Sequence, residues 1–393
     1  LMALIFMRMP IGLAMFVVGI AGTAIISGNT IAVMARLKTE TYSTFSSYSL
    51  SIVPLFLLMG QFATLGGMSK SLFKAAESFL GHRKGGVGMA AIGACAGFGS
   101  ICGSSLATAA TMAKVAYPSM KRYGYSESLS SATIAAGGTL GILIPPSIIL
   151  MIYGILTQTN IGHLFVAGVL PGLLGLALYM LVIYIIALVR PHEAPRGEAA
   201  SRAERVAALA GVWPFFLLFT VIIGGLYAGL FTPTEAGGIG SGIALIVATL
   251  QRRMNGPVLK ATLLETAYTS VMLYVVLFGA MLFSQLISFS GLADGLLSLV
   301  QGSGLSKLGV LLAILSVFLL LGCVMDTMAI ILIFVPLFAP TLVAQGYDLI
   351  WFGIIVVVLT EIGLITPPIG MNVFVLYAFL PQVPVGKIFK GLV

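Results

Sequence analysis

Two similar hexapeptides occur in this chain, Gly141-Ile142-Leu143-Ile144-Pro145-Pro146 and Gly363-Leu364-Ile365-Thr366-Pro367-Pro368. The two copies begin 222 residues apart, and Pro118 returns as Pro340 at the same offset. A constant offset over several landmarks indicates a duplicated unit. Each copy places a Gly/Pro break inside an apolar run, which is typical of secondary transporters whose binding sites lie at broken helices.

The composition predicts an integral membrane protein. The chain has 393 residues, of which 59% are hydrophobic and only 8% are charged, whereas about 25% of the residues in a soluble domain are charged. The long apolar runs do not alternate strictly, so they favour spanning helices in a lipid bilayer over a β-barrel. We expect the net charge of +8 to lie in cytoplasmic loops and expect no nucleic acid partner.

Charge also orders the membrane crossings. The run 87–117 has basic residues at both ends and glycines in the middle, which predicts a re-entrant helical hairpin. If 308–340 forms a second hairpin from the opposite side, 17 of the 20 Lys and Arg residues, Arg8 among them, lie in the cytoplasm, as the positive-inside rule requires. The fold class is therefore an all-α polytopic membrane protein. It contains inverted repeats, two re-entrant hairpins and two broken helices.

The first hairpin tip, 97–108, is rich in Gly and Ser. Irregular backbone at membrane depth must line a polar cavity, and its carbonyl and hydroxyl oxygens are suitable ligands for Na⁺. The arm that starts near Ser104 presents a positive helix end to an anionic group. The alternative is close helix packing through small residues.

The second hairpin tip places Asp326 where the offset of 222 places Ser104. A carboxylate at membrane depth is costly and usually pairs with a cation or a proton. Asp326 is therefore the leading candidate for cation coupling. The alternative is a structural carboxylate held by backbone N–H groups at a helix start.

The broken helices would supply carbonyl oxygens. Consecutive prolines remove N–H donors and disfavour helix in the preceding residue, so free carbonyls should face each tip, with Glu361 and Asn372 adding polar groups near the second. Each tip and its break form one candidate Na⁺ site. The candidate Na⁺ ligands are Gly99, Ser100, Gly103, Ser104, Ser105, Thr139, Gly141, Gly322, Asp326, Thr327, Thr360, Gly363 and Thr366. The candidate substrate contacts are Ser105, Thr108, Pro145, Pro146, Asp326, Pro367 and Asn372.

Taken together, these motifs resemble the large membrane subunit of TRAP transporters, the DctM family of tripartite ATP-independent periplasmic transporters. The resemblance covers essentially the whole chain and is carried by the segments 97–105, 141–147, 231–236, 325–327 and 366–370. It implies a multi-pass subunit of the bacterial inner membrane that uses Na⁺ as coupling ion. It also implies import of an organic acid delivered by a periplasmic substrate-binding protein, with a small four-helix membrane subunit as partner.

The resemblance further implies an elevator, in which a transport domain slides against a scaffold. Carried onto this chain, it gives these segments: scaffold helices of the first repeat (1–66); an amphipathic interfacial helix (67–85); a first transport half (86–190) with hairpin 87–117, broken helix 128–158 and helix 164–189; a cytoplasmic loop (191–208); scaffold helices leading into the second repeat (209–290); and a second transport half (305–393) with hairpin 308–340 and broken helix 349–380.

Other readings use the same residues. A stand-alone ion-coupled carboxylate carrier or antiporter of the same architecture would need no binding protein. An intramembrane enzyme would need a catalytic dyad, and the sequence has no HExxH or GxSxG motif, so we expect no enzymatic activity. The segment 385–389 repeats 161–165, which precedes a long helix, so we expect one more helix beyond Val393.

Overall fold

The computed structural model describes residues 1–393 except 8, 293–294, 296–297, 299–303, 305 and 393, and the described ranges contain helices and no β-strand. The helices of the first repeat and the loop after it are α1 (Met2–Phe6), α2 (Ile11–Ser27), α3 (Thr30–Phe45), α4 (Ile52–Leu65), α5 (Met68–Leu80), α6 (Gly86–Cys102), α7 (Ser105–Val115), α8 (Tyr117–Arg122), α9 (Glu127–Leu143), α10 (Ile148–Thr157), α11 (Ile161–Val189) and α12 (Arg202–Gly211). The later helices are α13 (Trp213–Phe219), α14 (Gly225–Tyr227), α15 (Pro233–Leu250), α16 (Gly256–Ser290), α17 (Lys307–Gly322), α18 (Thr327–Ala344), α19 (Leu349–Gly363), α20 (Met371–Phe379) and α21 (Val385–Leu392). A 3₁₀ turn (Tyr48–Ser51) precedes α4, and a π-helical turn (Thr220–Gly224) joins α13 to α14.

Several helices have the length and apolarity of membrane spans. In the described part of the chain, five helical stretches meet this test alone: Tyr48–Leu65, Ile161–Val189, Pro233–Leu250, Gly256–Ser290 and Thr327–Ala344. Two bent pairs raise the number of possible spans to seven, and one of them is α9 with α10, bent by 42° at the first Pro-Pro pair. The prediction of an all-helical polytopic membrane protein is confirmed.

The first hairpin is built as the glycine pattern predicts. Helix α6 ends at a turn where Gly103 has a φ of 64°, a conformation that L side chains rarely adopt. Helix α9 lies parallel to α6, since Gly137 approaches Cys95 and Gly141 approaches Gly99. Helix α7 also packs along α9 and contacts α6, so both arms of the hairpin rest on the first half of the broken helix.

The second hairpin repeats this arrangement with α17, α18 and α19. The Phe318 ring of α17 contacts Phe338 of α18 and Phe352 of α19, with ring centroids 5.8 and 5.7 Å apart. The backbones of Gly322 and Gly363 pass so closely that a methyl group on Gly322 would lie 3.1 Å from the Gly363 Cα. The second hairpin therefore also rests on the first half of its broken helix.

The two broken helices run in opposite directions. The Tyr153 hydroxyl, near the end of the first, donates to the Leu349 carbonyl at the start of the second, at 2.6 Å. The Asn372 Nδ2, in the second half of the second, donates to the Ala135 carbonyl in the first half of the first, at 3.2 Å. Equivalent elements are thus antiparallel, which is the relation expected of inverted repeats.

The helices assigned to the scaffold pack in pairs. A methyl group on Gly12 would lie 2.7 Å from the Val276 Cα, and one on Gly19 would lie 2.8 Å from the Leu282 carbonyl carbon. Helix α2 therefore runs parallel to α16 in close backbone contact, and α4 packs against α15. The charge-based topology also runs these two helices in the same direction, away from the cytoplasmic side. The side that faces the cytoplasm and the division into scaffold and transport domains stay predictions.

Some segments differ from the sequence-based expectation. Helix α3 was not predicted as a helix, because its charged residues interrupt the apolar pattern. Helix α12 begins at Arg202, inside the predicted loop 191–208, with Ser201 and Glu204 forming a capping box. Arg8, predicted to lie at the cytoplasmic start of the first repeat, and residues 305 and 393, the bounds of the second transport half, lie outside the described residues.

Candidate functional site

Both hairpin tips converge on one carboxylate, that of Glu361 in α19. Ser105 and Thr327 are the first residues of α7 and α18, and they occupy equivalent positions in the two repeats. The Ser105 hydroxyl donates to Oε2 of Glu361, and the Thr327 hydroxyl donates to Oε1 at 2.9 Å. Because Glu361 is only 2% exposed, this pair of hydrogen bonds joins the two repeats at a buried carboxyl group.

The residue before each arm caps the helix that follows. The Ser104 hydroxyl accepts a hydrogen bond from the Ala107 N–H at 3.3 Å, and Oδ2 of Asp326 accepts from the Ala329 N–H at 3.2 Å. Helix N-termini carry a partial positive charge that favours anions. Asp326 therefore has the geometry of a helix cap, which the sequence gave as the alternative to cation coupling. Its role in coupling stays a prediction.

Neither carboxylate has a basic partner among the described residues. Among all described residues, the ion pairs are Arg190 with Glu193 and Lys387 with Glu127. Neither pair involves Asp326 or Glu361. A buried carboxylate that lacks a positive neighbour is costly in an apolar environment. Two hydroxyl donors and a helix N-terminus offset part of that cost, and a cation would offset more of it.

A cavity of about 200 Å³ lies beside the tips. Its walls combine both hairpin tips, the first break and two helices that the sequence assigns to the scaffold, α4 and α16. The polar and scaffold residues that line it are Ser104, Ser105, Asp326, Thr327, Leu57, Thr269 and Leu273. No Lys, Arg or His is among its described lining residues, so an anion here would rely on hydroxyls and helix N-termini.

Glycines hold each hairpin against its broken helix just behind the tips. A methyl group on Gly141 would lie 2.6 Å from the Gly99 Cα, and one on Gly363 would overlap the Gly322 backbone. Real side chains do not tolerate such distances in a packed interior. At all four of these predicted ligands the structure shows close helix packing, which the sequence gave as the alternative for the first tip. Their role as Na⁺ ligands stays a prediction.

Most of the other predicted site hydroxyls bond within their own helices. Each donates, at 2.6 to 3.1 Å, to a carbonyl three or four residues earlier in the chain: Ser100, Thr108, Thr139, Thr360 and Thr366. Such back-bonding leaves the hydroxyl oxygen as an acceptor. Thr108 packs beside the Gly99–Gly141 contact, and none of these five described residues lines the tip cavity.

The two Pro-Pro pairs have different surroundings. Pro145 and Pro146 are buried, whereas Pro367 and Pro368 are exposed. Asn372, predicted as a substrate contact, is fully buried, and its Oδ1 has no hydrogen-bond partner among the described residues. A buried acceptor without a donor is unusual, and it fits a ligand for a cation.

The comparison with protein families decides the class of this molecule. The model of the family described as the DctM component of tripartite ATP-independent periplasmic transporters matches residues 1–393. This chain belongs to the DctM family. It is 39% identical over 357 residues to the C4-dicarboxylate TRAP transporter large permease protein of Pseudomonas aeruginosa, covering 90% of this chain and 83% of that one.

Other DctM relatives are named for different substrates. The chain is 32% identical over 360 residues to the ectoine TRAP transporter large permease of Halomonas elongata, covering 91% of this chain and 83% of the relative. It is 31% identical over 378 residues to the sialic acid permease of Vibrio cholerae, covering 95% and 87%. All three names denote transporter permeases, which supports the prediction that this DctM chain is not an enzyme.

A solved structure shares the fold of this DctM chain. The crystal structure of the YdaH transporter of Alcanivorax borkumensis matches with a TM-score of 0.67 over 92% of this chain and 85% of that chain, at 16% sequence identity. Similarity at this level of identity supports the helical architecture. It carries no information on the substrate.

Sequence reasoning noted Glu361 near the second break but did not assign it to the site. The signal was available, since Glu361 is the only charged residue between 349 and 380, and a lone acid at membrane depth marks a functional site by default. What the sequence could not supply was the partner, because Ser105 lies 256 residues away in the chain.

Proposed function

We propose that this DctM subunit couples the entry of Na⁺ to the import of an organic acid at the cavity where the hairpin tips meet. The observation that carries the proposal is the contact of both hairpin tips with Glu361. One buried carboxylate binds the tips of both repeats, beside a cavity that also touches the scaffold. Neutralising that carboxylate, or breaking its hydrogen bonds, would therefore affect both tips at once.

The substrate is a carboxylate recognised mainly by the first hairpin. The arm α7 has eleven residues and begins at the cavity with the neutral residues Ser104 and Ser105. Its N-terminal N–H groups and hydroxyls suit an anionic oxygen. The second tip carries Asp326, which repels a carboxylate unless a cation intervenes. Relatives named for C4-dicarboxylate and sialic acid support an organic acid as the substrate class.

The coupling cation binds mainly in the second repeat. Asp326 and Glu361 place two carboxylates there without a basic partner among the described residues. The unpaired Oδ1 of Asn372 offers a further oxygen near the second break. Because these ligands are oxygen atoms in a buried site, they favour a hard cation such as Na⁺.

Transport follows from the cost of moving charge. With Na⁺ bound, the carboxylates are compensated and the two tips can close on a substrate carboxylate. Without Na⁺, the uncompensated charges make passage of the site through the bilayer costly. Only the loaded state then moves readily against the scaffold helices α4 and α16, which is the selection that coupling needs.

The proposal includes partners and a location. A periplasmic substrate-binding protein delivers the organic acid, and a small four-helix subunit completes the complex in the bacterial inner membrane. The family description, with its tripartite and periplasmic components, supports this assembly.

The test is uptake into proteoliposomes that hold the complete complex. Radiolabelled organic acids are supplied with and without an inward Na⁺ gradient, and with and without the purified binding protein. Uptake that needs both is expected. Na⁺-dependent uptake without the binding protein would favour the stand-alone carrier, and uptake indifferent to Na⁺ would remove the cation assignment.

A further inference from the structure

A second concave region lies far from the hairpin tips, between the start of α6 and the last turns of α11. It is an open trough of about 840 Å³. One end is basic, with His82, Arg83, Lys84 and Arg196, and the rest is walled by the apolar face 177–188 of α11 and by Met89. None of its lining residues belongs to the site described above.

The backbone holds the basic end in place. The Gly197 N–H donates to the Gly81 carbonyl at 2.9 Å, and the Gly85 N–H donates to the Ala194 carbonyl at 3.4 Å. A methyl group on Gly85 would lie 2.9 Å from the Ala187 Cβ. The loop after α11 is thereby tied to the turn before α6, so cations that are more than 110 residues apart in sequence meet at the end of α11.

These cations lack acidic partners. Among the described residues, no carboxylate lies within 4.0 Å of Arg83, Lys84 or Arg196. The Nδ1 of His82 is shielded from solvent and has no hydrogen-bond partner there. The basic end therefore has unused capacity for an anion.

A neighbouring trough provides the contrast. It has a similar volume of about 900 Å³ and also contains lysine and arginine. Two of its three lysine and arginine residues are already paired, since Lys387 contacts Glu127 at 3.2 Å and Arg190 contacts Glu193 at 3.4 Å. The lack of such pairs distinguishes the first trough.

The shape of the first trough favours an elongated amphiphile. From Ala177 to Leu188 the apolar wall extends about 17 Å at the helical rise of 1.5 Å per residue. Leu181, Tyr184 and Leu188 on this wall are 50%, 42% and 45% exposed. A free phosphate would use only the basic end, whereas a phospholipid would use the basic end and the wall.

We propose that this trough binds an anionic phospholipid, with its phosphate at the basic end and an acyl chain along α11. Clustered Lys and Arg side chains at the membrane surface recognise anionic headgroups through charge-assisted hydrogen bonds. The site is independent of the proposed coupling chemistry, because it shares no residue with the tip cavity.

The test compares lipid retention by the complete complex in native mass spectrometry. Purified complex is delipidated and then titrated with cardiolipin, phosphatidylglycerol or phosphatidylcholine. Wild type should bind the two anionic lipids at least tenfold more tightly than phosphatidylcholine. The triple variant Arg83→Gln/Lys84→Gln/Arg196→Gln should lose this preference.

Two controls make the result specific. The matched variant Lys121→Gln/Arg202→Gln/Lys260→Gln removes three exposed cations elsewhere and should bind as wild type does. The wall variant Leu181→Gln/Leu188→Gln keeps every cation and should also weaken lipid binding. If the triple variant does not fold, the double variant Arg83→Gln/Arg196→Gln, at two exposed positions, serves instead.

Three outcomes would overturn the proposal. The matched variant could lose lipid as strongly as the trough variant, which would indicate general surface charge. The wall variant could bind as wild type does while inorganic phosphate displaces the lipid, which would indicate a free phosphate site. Phosphatidylcholine could bind as well as the anionic lipids, which would remove the role of the cations.

Discussion

The two hairpin tips start their second arms in the same way but carry different charges. In the first, Ser104 caps the second arm and Ser105 starts it, and in the second Asp326 and Thr327 do the same. Both starting hydroxyls donate to Glu361. At the offset of 222, the first repeat has Thr139 where the second has Glu361, so both carboxylates of the site come from the second repeat.

This difference shows that symmetry of the fold does not require symmetry of function. The caps at the tips and the glycine contacts behind them depend on backbone geometry, and both repeats retain these two features. Charge depends on single side chains, which can diverge without disturbing that geometry. A neutral tip beside a negative one suits a site that holds an anion and a cation together, because each tip then favours a different partner.

Glu361→Gln tests the comparison most strongly. The amide keeps the size of the side chain but removes the charge and one of the two acceptor oxygens. Losing a buried charge-assisted hydrogen bond costs about 2–3 kcal/mol, so Na⁺-driven uptake by reconstituted complex should fall by about 100-fold.

The matched control for this variant is Glu40→Gln. Glu40 also accepts a side-chain hydrogen bond, from Gln285 at 2.9 Å, but on α3, away from the tips. Its uptake should stay within about twofold of wild type, since this part-buried hydrogen bond lies away from the tips and a typical hydrogen bond contributes only about 1 kcal/mol. Equal losses in both variants would contradict a special role for Glu361.

Gly363→Ala tests whether the second hairpin needs backbone contact with its broken helix. The new methyl group would overlap the Gly322 backbone, whereas one on Gly322 would meet its nearest atom at 3.1 Å. Overpacking typically costs about 1–3 kcal/mol, so Gly363→Ala should lower the unfolding temperature more than Gly322→Ala. Thermal unfolding of the purified protein measures the difference, and equal midpoints would contradict the packing.

Asp326→Ser gives the second tip the capping residue of the first. Serine keeps the helix cap and removes the charge, so stability should change by less than about 1 kcal/mol. The Na⁺ concentration for half-maximal uptake should rise about tenfold, which corresponds to about 1.4 kcal/mol. Asp326→Ala removes cap and charge together. If serine supports normal Na⁺ dependence, Asp326 is a helix cap and not a cation ligand.

Ser147→Ala addresses the smallest difference between the repeats. Ser147 caps α10 through the Leu150 N–H at 3.2 Å, whereas α20 begins at Gly370 without a side-chain cap. Loss of such a cap costs about 1 kcal/mol, so chemical unfolding should show a loss of that size. Uptake should remain close to wild type. A larger effect on uptake than on stability would place Ser147 in the transport step.

Local chemistry explains which parts of the fold were predictable. The hairpin tip at Gly103 and the break at Pro145–Pro146 follow from the few conformations open to Gly and Pro. The cap at the start of α15 is equally local, since the Glu235 carboxylate accepts from the Thr232 N–H at 2.7 Å. Helix α3 was missed because its charges obscure the apolar signal by which spans are recognised.

The sequence by itself determined the membrane class, the repeat, the hairpins and the breaks. These features depend on composition, a constant offset and backbone rules that act within a few residues. Only the tertiary structure decided that Ser105 and Thr327 meet at Glu361, and that Arg196 joins Arg83 and Lys84 at the trough. Both sites unite residues from distant parts of the chain, and which of them meet depends on how whole helices pack.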